Sequence, residues 1–243
     1  MISSVDNPRV KDVVRLRKAR ERRRSGLFVA EGPREVERAR LAGLTIVATY
    51  FAPSLLDWTE GEEVSERVLA KMAYRAEPEG VIAVVEAPHR ELPRNGSLYL
   101  VAVGIEKPGN LGAMARTADA AGVDALVVAE TQADPWNPNA IRASTGAVFS
   151  LPVVEATLDD VKRLPVRLVA ATPTASAAYT TADLAAPTAL AIGAEDAGLP
   201  TAWNQAADLS VSIPLRTATT DSLNAATAAA IILFEARRQR DHA

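Results

Sequence analysis

An asparagine and an arginine six residues apart, Asn110 and Arg116, stand in "EKPGNLGAMARTADAAGVDALVV", directly after the apolar run "LYLVAVG". The amide can donate and accept hydrogen bonds, and the guanidinium is a planar fork that matches phosphate. Glycines in the same stretch raise a rival chemistry, a phosphate cradle for a dinucleotide. That cradle needs G-x-G-x-x-G between strand and helix, and the glycines at 104, 109, 112 and 122 do not provide the spacing. Glu130 does stand about where a ribose-binding acid would lie. No G-x-x-x-x-G-K-[ST] loop occurs anywhere. Taken alone, the segment is an ordinary tight turn between a strand and a helix.

Other chemistries are limited by composition. The chain has no cysteine, which removes disulfides, thiolate metal sites and cysteine nucleophiles. Its two histidines, His89 and His242, lie in a Pro-flanked stretch and beside the C-terminus, so no metal centre or Ser-His-Asp triad is expected. No apolar run approaches the roughly 20 residues that span a bilayer, and the N-terminus is polar and then basic, so a cytoplasmic protein is expected. The net charge of -3 hides an asymmetry: Met1 to Arg24 carries nine Lys/Arg against three Asp/Glu. An excess of cations at one end is the footprint of a polyanion partner.

The elements that must hold these residues follow from periodicity. "DNPRVKDVVRLRKARERRR" starts with Asn7 as N-cap and Pro8 at the first helical position, and predicts one amphipathic helix. Val10, Val13 and Val14 lie on its apolar side, while Arg9, Lys11, Arg15, Arg17, Lys18, Arg20, Arg22, Arg23 and Arg24 form the charged face. "GLFVAEGPREVERARLAG" reads as strand, turn and helix, "LTIVATYFAP" as a strand, "EEVSERVLAKMAYR" as a helix and "GVIAVVEAP" as a strand. These make a small α/β domain over residues 1–90, and residues 91–97 form a linker. From Leu98 the runs "LYLVAVG", "ALVVAE", "VFSLPVV", "VRLVAAT", "ALAIGAE" and "LSVSIP" alternate with helix-like segments, which predicts a largely parallel sheet over residues 98–243 covered on both faces. "DSLNAATAAAIILFEARRQR" closes the chain as an alanine-rich helix.

Three glycine and polar blocks lie close to sheet strands, where open α/β sheets bind ligands. They are "PGNLGAMARTADAAG", "NPNAIRASTGAVFSLPV", and "AIGAEDAGL" continuing to "IPLRTATTDSLNAATAAAIILFEARRQ". In this order they closely resemble the three motifs of the SpoU (TrmH) family of RNA ribose 2'-O-methyltransferases, within the SPOUT class. "NPRVK", "LFVAEGPREVERA" and Gly80-Val81 resemble the ribosomal-protein-like RNA-binding domain that precedes the catalytic domain in many members. The resemblance implies a deep C-terminal trefoil knot, S-adenosylmethionine as cofactor, a homodimer, and an RNA substrate, ribosomal in preference to transfer RNA. Without it, an ordinary doubly wound sheet would be expected, because chains rarely thread loops.

Residue by residue, the resemblance assigns catalysis to Arg116 with Asn110, and adds Glu195, Ser222 and Asn224 from the third block. It places Gly193, Ile213 and Leu223 against the cofactor, with Thr172 a further pocket candidate. Arg142 and Ser144, with Gly146, match "R-x-S-x-G" and, like Arg9, Lys11 and Arg15 of the basic helix, would meet RNA. Asn139 stands where many relatives have lysine, which puts a phosphate contact there in doubt. On residue chemistry, Ser222 and Asn224 are also candidate helix caps. Two other function classes stay open: a non-catalytic RNA-binding assembly protein with the same fold, and a nicotinamide enzyme.

Overall fold

The computed structural model describes residues 1–131, 133–216, 219 and 221–242. Thr217, Ala218 and Thr220 of the third block lie outside the described residues. In chain order the first elements are α1 (Pro8–Arg15), α2 (Ala19–Ser25), β1 (Leu27–Glu31), α3 (Pro33–Leu41), β2 (Ile46–Phe51), β3 (Glu62–Glu63), α4 (Glu66–Met72) and β4 (Val81–Glu86). Then come β5 (Leu98–Val103), α5 (Pro108–Ala120), β6 (Ala125–Ala129), α6 (Pro138–Ser144), α7 (Ala147–Ser150), β7 (Val153–Glu155) and α8 (Leu158–Lys162). The chain ends with β8 (Arg167–Ala171), β9 (Thr188–Ile192), α9 (Thr201–Ala206), β10 (Leu209–Val211) and α10 (Ala225–Arg240). Among the described residues, no helix is long and apolar enough to cross a membrane.

Two compact units result. One holds Met1–His89 together with Asp134–Ser150, the other Arg90–Ala133 together with Leu151–Ala243. The segment with α6 and α7 thus groups with the N-terminal residues, although the expected domain over 98–243 includes it. The reason is side-chain chemistry invisible at the level of strand and helix patterns. The Phe28 ring stacks on Trp136 at 4.7 Å and on Phe149 at 5.6 Å. The Arg22 guanidinium meets the Asp134 carboxylate at 2.7 Å, both side chains being buried.

The first unit's sheet runs β1-β4-β2-β3, with β4 antiparallel to both β1 and β2 and β3 parallel to β2. Its core brings Val10, Val13 and Leu16 against Tyr50, Val68, Leu69 and Ile82. The single basic helix predicted here is in fact two. Arg22 explains the break, because its Nη1 donates to the carbonyls of Leu16 at 2.7 Å and Arg17 at 2.9 Å, satisfying acceptors at the end of α1. Arg22 is therefore structural, not part of a charged face. Breaking this arrangement from the other side should be costly: Asp134→Ala leaves a buried guanidinium without its counter-ion and is expected to lose about 3–5 kcal/mol of stability. Urea unfolding checks this, and the Arg22→Met, Asp134→Leu pair should recover only part of the loss, because the Leu16 and Arg17 carbonyls then lack their donor.

The second unit is a six-stranded, all-parallel sheet in the order β10-β8-β9-β5-β6-β7. β5, β6 and β9 are buried at every residue, the pattern of strands covered on both faces. Of the predicted strand "VFSLPVV" only the end survives, as β7; Val148 to Ser150 is helical, because Phe149 is drawn into the aromatic stack. The chain steps outward from β5 through β6 to β7, then crosses to the other side for β8, so the sheet has a switch point between β5 and β9. Loops at the carboxyl ends of such strands are where open α/β sheets present ligands.

Candidate functional site

At the carboxyl ends of β8 and β9 lies a cleft closed by the start of α10. Its lining includes Thr172, Gly193, Ile213 and Leu223. Four residues spread over 52 positions of sequence, each expected at a cofactor, thus border one cavity. Most other lining side chains are apolar, among them Ile192, Val211, Leu215 and Ile232. Apolar walls with main-chain polar groups at their edge suit a heterocycle. Glu195 and Ser222 also line the cleft, and Glu195 is the one ionisable side chain among the lining residues.

Gly193 shows how tightly this wall is built. A Cβ placed on it would meet the Gly198 carbonyl carbon at 2.2 Å and the Leu199 nitrogen at 2.3 Å. The loop after β9 folds back on itself, with Gly198 N–H donating to the Ala194 carbonyl at 2.8 Å, and Gly198 adopts φ +65°. That tight return carries Glu195 to the rim of the cleft.

Beside the cleft, three polar side chains from distant parts of the chain form one cluster. Asn110 Nδ2 donates to Glu195 Oε1, and Asn224 Nδ2 donates to the same oxygen at 2.7 Å and lies 3.2 Å from Asn110 Oδ1. Asn224 is also the N-cap of α10, its Oδ1 accepting the N–H groups of Ala226 at 3.0 Å and Thr227 at 3.3 Å. One side chain both starts the helix and fixes the acid. Ser222 is exposed and is not the cap; of the two candidates Asn224 alone does that work.

Arg116 belongs to the same helix as Asn110 but not to the cluster. Six residues at 3.6 per turn place it about 120° round α5 from Asn110. Its side chain is exposed and makes no hydrogen bond or ion pair among the described residues, so its fork is free for a ligand. Glu130, considered above as a ribose acid, accepts the Trp203 indole N–H at 2.7 Å and is committed inside the second unit.

The first unit holds the remaining candidates. Arg9 pairs with Glu62 at 2.5 Å, Lys11 with Asp6 at 3.1 Å and Arg15 with Asp12 at 2.9 Å. Arg17 donates to the carbonyls of Lys71 and Ala73, and Arg24 pairs with Glu21. Of the nine basic residues, Lys18, Arg20 and Arg23 are exposed and have no partner among the described residues. Arg142 is exposed on α6. Ser144 is fully buried, and its hydroxyl is used internally, donating to the Ile141 carbonyl at 2.8 Å and accepting the Gly146 N–H at 3.1 Å. It shapes the end of α6 and cannot face a ligand, which corrects its assignment to RNA contact.

The SpoU rRNA Methylase family model matches residues 97–234, and the MRM3-like substrate binding domain matches residues 7–83. A 23S rRNA (guanosine(2553)-2'-O)-methyltransferase, RlmP of Bacillus subtilis, is 32% identical over 97% of this chain and 98% of its own. A crystal structure of an RNA 2'-O ribose methyltransferase superposes with a TM-score of 0.85 at 42% identity, covering 98% of each chain. The SpoU methyltransferase AviRb of Streptomyces viridochromogenes, in complex with the cofactor AdoMet, superposes with a TM-score of 0.87 at 32% identity over 97% of this chain and 98% of its own. With more than half of its length matched by the family model and similar proteins aligned nearly end to end, the chain belongs to the SpoU rRNA methylase family.

Proposed function

We propose that the protein transfers a methyl group from S-adenosylmethionine to a ribose 2'-hydroxyl of 23S ribosomal RNA. The observation that carries this is the convergence of Thr172, Gly193, Ile213 and Leu223 on one cleft whose rim holds the Asn110–Glu195–Asn224 cluster. The cleft suits the cofactor: its walls are mostly apolar, with main-chain groups at Gly193 and Ala194 and one acid, Glu195, among the lining residues, and these would hold a heterocycle. Similar proteins that align over nearly all of the chain are named as 23S rRNA enzymes, which favours ribosomal over transfer RNA.

The cofactor supplies a methyl group already activated on a sulfonium; the new O–CH3 bond forms as the CH3–S bond breaks, and the hydroxyl proton leaves. The protein must align the hydroxyl and provide for that proton. Arg116, permanently cationic, serves as a fork on the target phosphate that orients the 2'-hydroxyl. In this reading Glu195, held by two amide donors at the cleft, receives the proton directly or through water. Asn110 and Asn224 act through Glu195, as positioning residues. The same family membership supports a homodimer with a knotted C-terminal segment, acting in the cytoplasm.

The direct test incubates the protein with S-adenosylmethionine carrying a labelled methyl group and transcripts of 23S rRNA domains or unmodified tRNA, then maps 2'-O-methyl nucleotides. Label in a ribosomal transcript is the expected result. Binding of S-adenosylmethionine without transfer to any RNA would favour the non-catalytic assembly protein.

The basic end carries a second expectation. A cation already paired with a carboxylate adds little net charge, so phosphates should be met by Lys18, Arg20 and Arg23 more than by Arg9, Lys11 and Arg15. Replacing the first three with glutamine is expected to weaken RNA binding and flatten log Kd against log salt by about 0.7–0.9 per lost phosphate contact. The same replacement of Arg9, Lys11 and Arg15 should change that slope less. Filter binding across a salt series measures both.

A further inference from the structure

A second cleft, lying wholly within the first unit, has no role in the reaction described above. Its mouth is formed by Tyr74, Asn139 and Arg142, and its floor by Glu31, Glu35 and Arg75. The Tyr74 side chain is 44% exposed although the residue sits on an anchored loop: Glu31 accepts the backbone N–H groups of Tyr74 at 2.9 Å and Arg75 at 3.2 Å. The Asn139 amide lies between its neighbours, donating to Tyr74 Oη at 3.3 Å and accepting from Arg142 Nη2 at 3.4 Å. Both bonds are long and exchangeable for those of a ligand. Beneath them Glu35, only 1% exposed, gives Oε1 to Arg34 at 2.7 Å, while its Oε2 has no hydrogen-bond donor, the Arg75 guanidinium lying 3.7 Å away. A buried acceptor without a donor marks a place for a ligand N–H or a water.

An exposed aromatic face on a fixed loop, an amide that can donate and accept, and a guanidinium are the groups that hold one unpaired ribonucleotide: stacking, base edge and phosphate in turn. Net charge does not explain the site, since three arginines, Arg34, Arg75 and Arg142, stand with three acids, Glu31, Glu35 and Glu79. Asn139, where the resemblance leads one to expect lysine, fits the same reading, because an amide gives up a phosphate contact and gains base recognition.

We propose that the exposed surface over this cleft reads one unpaired nucleotide of the RNA substrate, with Tyr74 stacking on the base, Asn139 at its edge and Arg142 on its phosphate. The inference rests on the RNA-methyltransferase reading. Tyr74→Ala is expected to raise KM for the unmethylated 23S rRNA domain transcript that the protein methylates, and Kd for the same RNA, about tenfold to a hundredfold, with the loss in KM rather than kcat. Tyr74→Phe, which keeps the ring, should retain most of the affinity. The salt slope of Kd should stay as in the unaltered protein for Tyr74→Ala and fall by about 0.7–0.9 for Arg142→Ala. A Tyr74→Ala protein with unaltered KM and Kd, or a Tyr74→Phe protein as weak as the alanine variant, overturns the proposal. If the unaltered protein methylates no RNA, the catalytic reading fails instead, and the Kd comparison among the same variants still decides this one.

Discussion

Arg116→Ala is expected to lower methyl transfer at least about a hundredfold while leaving S-adenosylmethionine binding intact. The size follows from removing a positioned charge that acts on the reacting group. The specificity follows from place: Arg116 is absent from the lining of the cleft proposed for the cofactor, and its exposed side chain has no partner among the described residues to strand. Its removal should shift stability by no more than about 0.5 kcal/mol. Arg116→Lys should also be impaired, because an ammonium keeps the charge but not the planar fork. Single-turnover transfer assays beside calorimetry with S-adenosylmethionine separate the two effects. An Arg116→Ala protein with full activity would remove this residue from the reaction.

Gly193→Ala is expected to do the reverse and strike the cofactor first. Its methyl group would stand 2.2 Å from the Gly198 carbonyl carbon and 2.4 Å from the Gly198 oxygen, and both are backbone atoms that cannot swing aside. The return loop must move, and it carries Glu195. An overpacking cost of about 1–3 kcal/mol taken out of binding corresponds to roughly a tenfold to hundredfold weaker Kd for S-adenosylmethionine. Gly198→Ala is the informative comparison. Space is open around that position, and the penalty comes only from φ +65°, so its effect should be nearer 1 kcal/mol. Equal damage from the two substitutions would argue that loop conformation, not the close approach at Gly193, governs the cleft.

Much of the second unit was legible in advance because its signals are local. Strands buried on both faces read as unbroken Val/Ala/Leu runs, and the α10 cap and its alanine-rich body lie in one stretch of sequence. What misled was chemistry between distant residues. Arg22 looks like one more cation in a basic run, and only Asp134, 112 positions away, makes it a buried bracket that breaks the helix. Phe149 looks like part of a strand until Phe28 supplies its stacking partner. Ser144 looks like a polar contact until burial turns its hydroxyl inward.

By itself the sequence determined the parallel α/β architecture, the cationic N-terminal end, and the residue types at three blocks that resemble a methyltransferase of known kind. Periodicity and motif spacing report on neighbours within a few turns of chain, and those features need nothing more. Only the tertiary structure decided that Asn110, Glu195 and Asn224 share one carboxylate oxygen, and that most of the basic residues are already paired. It also decided that α6 and α7 pack with the N-terminal residues. Hydrogen bonds, ion pairs and aromatic contacts between remote residues depend on a few ångströms of separation, and that distance is set when the chain folds.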